Sequence, residues 1–244
     1  MDESVKQAMA KWPNVPACTG WLALDRRGVW RMRDEAAQQA GTAGTPIRHD
    51  ALNGFINRNY AADESGCWFF QNGPQRVYIE LAYTPWVVRL QRENGVLRLT
   101  DQTGAEFLPQ AGWLDDAGAV LFSDEAQRIA LLHDHDLDLF SESARFVDDD
   151  TQAGSLAWRE NHILALKSIC AAQVAEQFHF VASPAATRGP GQSSAEQTAH
   201  GSTRGSAHES AKVAAPTQGS AQAPAAAEVS AATANPTDPA QNAG

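Results

Sequence analysis

The run His133-Asp134-His135-Asp136-Leu137-Asp138 is the sharpest concentration of chemistry-bearing side chains in the chain. Two imidazoles spaced i, i+2 project from one face of a β-strand. Imidazole nitrogen and carboxylate oxygen together suit a divalent transition metal such as zinc, iron or manganese. If residues 129–135 form a strand, His133 and His135 share an ion, and Asp136 or a distant carboxylate completes the shell. That arrangement would support a metal-dependent hydrolase. The spacing fits no standard metal motif. The H-x-H-x-D-H pattern requires Asp and His where Leu137 and Asp138 stand, and an EF-hand loop fails at Leu139 and Arg145. The competing expectation is that Asp134 or Asp136 caps a helix while the histidines make ordinary contacts.

A second group of residues suits recognition rather than catalysis. Asn57, Arg58, Asn59 and Tyr60 end a helix just before an aromatic run, and Gln71, Asn72, Gln75 and Arg76 crowd the turn inside it. With Trp68, Arg76 and Tyr78 on the outer sheet face and Tyr60 beside them, stacking rings would meet a guanidinium fork, a combination suited to binding. The alternative is that the rings pack in a core with their polar tips satisfied.

These groups need a scaffold, and the run Cys67–Leu90 (CWFFQNGPQRVYIELAYTPWVVRL) supplies most of it. Its aromatic and β-branched stretches, separated by turn residues, describe antiparallel strands. Asp25-Arg26-Arg27-Gly28 fits a type I turn with a left-handed glycine, which sets Leu24 opposite Trp30 and Leu22 opposite Met32. The same turn recurs at Asp101–Gly104 and Asp115–Gly118, placing Phe107 opposite Leu99 and Leu114 opposite Val120. Asn94-Gly95 is a two-residue hairpin signal that pairs Leu90 with Leu99. In the strand over residues 76–82, Val77, Ile79 and Leu81 face one way, and Arg76, Tyr78 and Glu80 the other.

Helices are expected at three places. Val5, Met9 and Trp12 form an apolar stripe ended by Pro13. Asp50 caps a helix carrying Leu52, Phe55 and Ile56. A longer helix over residues 155–175 would bury Ile163, Leu166, Ile169, Cys170 and Val174. Residues 34–46 are expected to be a loose connection, and Phe178, Phe180 and Val181 a final strand. The fold class is α+β: an antiparallel meander sheet of about seven to nine short strands with two or three flanking helices.

Four segments together resemble a proteobacterial protein family of unknown function. They are the hairpin Trp21–Arg31 (WLALDRRGVWR), Trp68–Tyr78 (WFFQNGPQRVY), Tyr83–Val87 (YTPWV) and Leu131–Leu137 (LLHDHDL). The resemblance covers residues 11–183. It implies an uncharacterised bacterial protein and carries over no catalytic residue, cofactor or activity.

Composition sets the remaining bounds. All seven tryptophans precede residue 159, whereas residues 184–244 lack Phe, Trp, Tyr, Leu, Ile and Met. That Ala/Pro/Ser/Gly-rich tail cannot bury enough surface to order itself, so a single domain over residues 1–183 and a disordered tail over 184–244 are expected. The net charge of −10 disfavours nucleic acid and anionic lipid. The three cysteines form no CxxC pair, which argues against a disulfide framework or zinc ribbon. No apolar leader or membrane-length stretch is present, so a cytoplasmic protein without membrane contact is expected. P-loop, G-x-S-x-G, G-x-G-x-x-G and H-E-x-x-H motifs are all missing. The best reading is a non-catalytic protein with a binding surface on an aromatic sheet and an unknown protein or small-molecule partner. No cofactor is expected outside the histidine cluster.

Overall fold

The computed structural model describes residues 1–146, 153–159 and 162–188. The chain is α+β, but its strands form two mixed sheets instead of one antiparallel meander. The first contains β1 (Cys18–Leu24), β2 (Trp30–Met32), β3 (Thr45–Pro46), β4 (Tyr60–Ala62), β5 (Trp68–Asn72) and β6 (Gln75–Leu81), in the order β3-β2-β1-β6-β5-β4. Its helices are α1 (Glu3–Lys11), α2 (Glu35–Gln39) and α3 (Asp50–Arg58).

The second sheet begins with β7 (Trp86–Glu93), β8 (Val96–Asp101), β9 (Glu106–Phe107), β10 (Pro109–Asp115), β11 (Val120–Asp124) and β12 (Ile129–Leu132). After α4 (Leu137–Ser143) it adds β13 (Ala144–Phe146), β14 (Ala153–Arg159) and β15 (His162–Ile169), in the order β13-β14-β15-β10-β11-β12-β7-β8-β9. Two short helices, α5 (Val174–Gln177) and α6 (Pro184–Arg188), close the described part. β1 lies parallel to β6, β10 to β15, and β12 to β7. Such pairings join strands far apart in sequence, so no local pattern announces them.

The hairpin registers follow from turn chemistry. Leu24 pairs with Trp30, Leu90 with Leu99, Leu99 with Phe107 and Leu114 with Val120, all as expected. One turn geometry recurs five times, beginning at Asp25, Asp63, Asp101, Asp115 and Asp124. In each, the amide three residues on donates to the aspartate carbonyl. The carboxylate Oδ1 also accepts the amide four residues on, at 2.7–3.2 Å. Four of these turns place glycine fourth, with φ between 74° and 88°. The fifth, Asp124-Glu125-Ala126-Gln127, holds Gln127 there at φ 59°. A side chain in that left-handed region costs free energy that glycine avoids.

The expected helix over 155–175 is instead the β14–β15 hairpin followed by α5. Leu156, Trp158, Leu164 and Leu166 are buried at every second position, while Ile163 is 71% exposed. The i, i+3 spacing from Ile163 to Ile169 imitates a helix, and pairing on both sides of β15 overrides it. Residues 34–46 contain α2 and β3, not a bare connection. The cap of α3 is His49, whose Nδ1 accepts from Leu52 N at 3.2 Å, so Asp50 is the first helical residue. Val181 forms a single bridge to Cys67 rather than a strand. Helical structure runs past residue 183 to Arg188, and the expected tail from 189 onward lies outside the described residues, as does the acidic run 148–150.

Two large apolar clusters fill the interior, and a small third one gathers Cys67, Phe69 and Tyr78. Of the large ones, one gathers Val88, Leu99, Phe107, Phe122 and Leu156 beneath Phe140 of α4. The other joins Leu24, Trp30, Phe70 and Ile79 of the first sheet to Leu121, Ile129 and Leu131 of the second. No helix among the described residues is long and apolar enough to cross a membrane.

Candidate functional site

The strand that carries Arg76 and Tyr78, β6, pairs Gln71 with Arg76 and Phe69 with Tyr78. Cross-strand partners share a face, so these four side chains lie together on the sheet side away from the main core. Trp68 lies on the opposite side. It packs against Tyr60 at 4.6 Å and Trp86 at 5.3 Å between ring centroids. Tyr60 is tied down further by its hydroxyl, which donates to Pro85 O at 2.8 Å. The expected common face for Trp68, Arg76 and Tyr78 therefore does not exist, because adjacent residues of a strand point in opposite directions.

Tyr78 is only 3% exposed. Its hydroxyl donates to Asp63 Oδ2 at 2.9 Å, and Asp63 Oδ1 accepts from Ser65 and from Cys67 N. Burial alone would raise the Asp63 pKa. The hydrogen bonds from Ser65, Tyr78 and Cys67 N outweigh it and hold the carboxyl below its ordinary value.

Arg76 is exposed, and its guanidinium sits 4.6 Å from the centroid of the Phe69 ring. It forms no ion pair among the described residues. Beside it, Gln71 is 1% exposed. Its Nε2 donates to Gly73 O, and its Oε1 meets no donor. The end of α1 and the loop after it rise over this floor to make an open cleft of about 830 Å³, lined also by Trp12, Asp63 and Glu64. Trp12 is 51% exposed, an unusual position for so large an apolar ring. The sequence pointed to Arg76 and Tyr78. Gln71 belongs to that group too, whereas Trp12 and Glu64 emerge only from the way α1 folds back, since the sequence sets Trp12 in an apolar stripe.

The histidine cluster has a different character. β12 ends at Leu132, so His133 and His135 do not occupy one strand face. His133 is the N-cap of the short turn Asp134–Asp136, its Nδ1 accepting from His135 N at 3.1 Å. Neither Asp134 nor Asp136 supplies that cap through its side chain. Asp136 accepts Arg89 Nε at 2.7 Å, Arg89 Nη2 at 2.9 Å and Leu90 N at 2.9 Å. Asp134 pairs with Arg27 at 2.6 Å. The carboxylate that would complete a metal shell is thus engaged by a guanidinium and an amide. No group of three metal-ligating side chains occurs among the described residues.

Burial and the neighbouring Arg89 charge lower the His133 pKa. Burial works to raise that of Asp136, but hydrogen bonds from Arg89 and Leu90 N hold it below the ordinary value.

The model of one protein family, DUF2944, described as "Protein of unknown function (DUF2946)", matches residues 1–185. Among solved structures, a DUF1285 family protein from Silicibacter pomeroyi is similar at 17% identity and a TM-score of 0.43, over 63% of this chain and 82% of that one. A DUF1285 family protein from Shewanella baltica is similar at 13% identity and a TM-score of 0.36, over 53% of this chain and 93% of that one. No curated protein matches the chain.

Proposed function

The chain belongs to the DUF2944 family, a family of unknown function, and from its own geometry we propose a non-catalytic binding protein whose α1 cleft receives a short polypeptide segment of mixed charge. One observation carries the reading: Arg76 and Glu64, of opposite charge and both exposed, line one cleft, and neither is in an ion pair among the described residues. A ligand carboxylate on Arg76 and a ligand amine near Glu64 complement that pair. The exposed ring of Trp12 offers a surface for an apolar side chain between them. A ligand with balanced charges also escapes repulsion by a protein of net charge −10. In the floor of the cleft the Tyr78 hydroxyl donates to Asp63.

Calorimetric titration of the full chain with the capped tetrapeptide Lys-Leu-Phe-Glu tests this. Binding is expected to weaken by at least about tenfold in Arg76→Ala, and by a similar factor when Gln replaces both charged residues of the peptide. Unchanged affinity in either arm, or no measurable binding of the charged peptide, would refute the proposal.

A further inference from the structure

A separate cavity of about 370 Å³ lies where a turn of the first sheet meets the second sheet. Arg26 and Arg27 line it from the β1–β2 turn, and Ala117 and Gly118 from the β10–β11 turn. Val120, Leu131, Leu132 and Leu137 add an aliphatic lining. The volume falls within the range of small-molecule sites. No residue is shared with the α1 cleft.

The charges on this lining do not cancel. Arg27 is matched, donating to Asp134 through Nε at 3.1 Å and Nη2 at 2.6 Å. Arg26 is exposed and forms no ion pair or hydrogen bond among the described residues. Its guanidinium lies 4.5 Å from the centroid of the Tyr83 ring. That ring is itself fixed, because the Tyr83 hydroxyl donates to Asp115 Oδ2 at 2.6 Å. A guanidinium held over a ring keeps N–H donors at its edge for a planar acceptor. The acids of the β10–β11 turn are committed elsewhere. Asp115 Oδ1 accepts from Ala117 N and Ala119 N, and Asp116 Oδ1 accepts from Ala171 N at 2.8 Å. Two guanidiniums and one carboxylate therefore line the cavity, and one positive charge is left over.

That lining defines the occupant. A single excess charge suits a monoanion, and Arg26 offers a carboxylate a pair of parallel N–H donors. The four aliphatic side chains offer no hydrogen bond, so the remainder of a matching ligand is hydrocarbon. The net charge of −10 opposes an anion only through solvent, where screening at physiological salt acts within about 8 Å, whereas contact with Arg26 is direct. We infer that this cavity binds an aliphatic monocarboxylate, its head group on Arg26 and its chain along Leu131, Leu132 and Leu137. The site stands apart from the peptide cleft, whose cation is Arg76.

The probe is octanoate, titrated into the full chain and followed by proton–nitrogen correlation spectra. Octanol keeps the chain without the charge, and acetate keeps the charge without the chain. Octanoate is expected to shift the amides of Ala117, Gly118 and Ala119 saturably. Octanol should bind about fivefold more weakly, and acetate more weakly by at least about tenfold. Arg26→Gln, at an exposed turn position, should reduce octanoate to the affinity of octanol. Ala117→Trp, also exposed, should obstruct the cavity and abolish the shifts, whereas Arg76→Ala should leave them intact. Octanol or acetate binding as tightly as octanoate, amides of residues 117–119 that stay put, an Arg26→Gln or Ala117→Trp protein that binds as well as the parent, or loss of the shifts in Arg76→Ala would each overturn the inference.

Discussion

The segment His133–Asp136 and the cleft around Arg76 contain comparable polar chemistry, yet they spend it differently. In the first, Asp136 accepts from Arg89 and Leu90 N, Asp134 holds Arg27, and His133 caps a turn. In the second, Arg76 and Glu64 stay exposed and Gln71 Oε1 goes unmatched. Residue type alone favours the first region as the reactive one. Hydrogen-bond accounting reverses the order: side chains committed to the fold have little left for a ligand.

The contrast predicts that substitutions in the first region act on stability and those in the second on binding. The largest effect is expected from Asp136→Ala, which strands the buried Leu90 N–H and releases Arg89. A loss of about 2 kcal/mol is expected in chemical denaturation, less than for a fully buried ion pair because Arg89 is 47% exposed and stays solvated. His133→Ala removes a cap and should cost ~1 kcal/mol by the same measurement.

His133 also gives the comparison a pH axis. Its folded pKa lies below the ordinary value of about 6.5. As pH falls through that value, the unfolded chain takes up the proton before the native one does, and stability declines. The protonated ring also turns its Nδ1 from acceptor to donor, towards Asp134 Oδ1 at 2.9 Å. Tm measured from pH 8 to pH 5 should therefore fall in the parent and flatten in His133→Ala. An equal slope in both would place the sensitivity elsewhere. The smallest effect is expected from Arg76→Ala and Trp12→Ala, each within about 0.5 kcal/mol of the parent. A drop of about 2 kcal/mol at either would make the cleft wall part of the fold and erase the contrast.

Much of the local architecture was legible in the residues themselves. The D-x-x-G turns and Asn94-Gly95 fixed strand registers because left-handed glycine and an aspartate acceptor leave a short hairpin few alternatives. Two further members of the same turn family, at Asp63 and Asp124, escaped notice. The first carries the expected Gly66, and the second is disguised by Gln127. Tyr78 was misassigned for a different reason. Alternation along β6 separates two faces correctly, but the sequence does not show that Asp63 waits to receive the Tyr78 hydroxyl and that the ring is buried beside the exposed Arg76. The β14–β15 hairpin was hidden because Ile163, Leu166 and Ile169 satisfy helical spacing, and its partner β10 lies some fifty residues upstream. The cleft depended on long-range contacts: Asp2 reaches Asn59 and Arg58 to seat α1, which no pattern within residues 1–15 reveals.

The central hairpin of β11 and β12 is buried on both sides. Val120, Phe122, Ala130 and Leu132 enter one apolar cluster, and Leu121, Ile129 and Leu131 enter the other. A slip of one residue would leave this ribbon greasy on both surfaces while exchanging the two interiors wholesale, so composition cannot police its alignment. That task falls to its Asp124–Gln127 bend and to the flanking partners β10 and β7. Amputating the first eighty residues would uncover a stripe of leucine and isoleucine, so the amino-terminal sheet serves its neighbour as an indispensable roof.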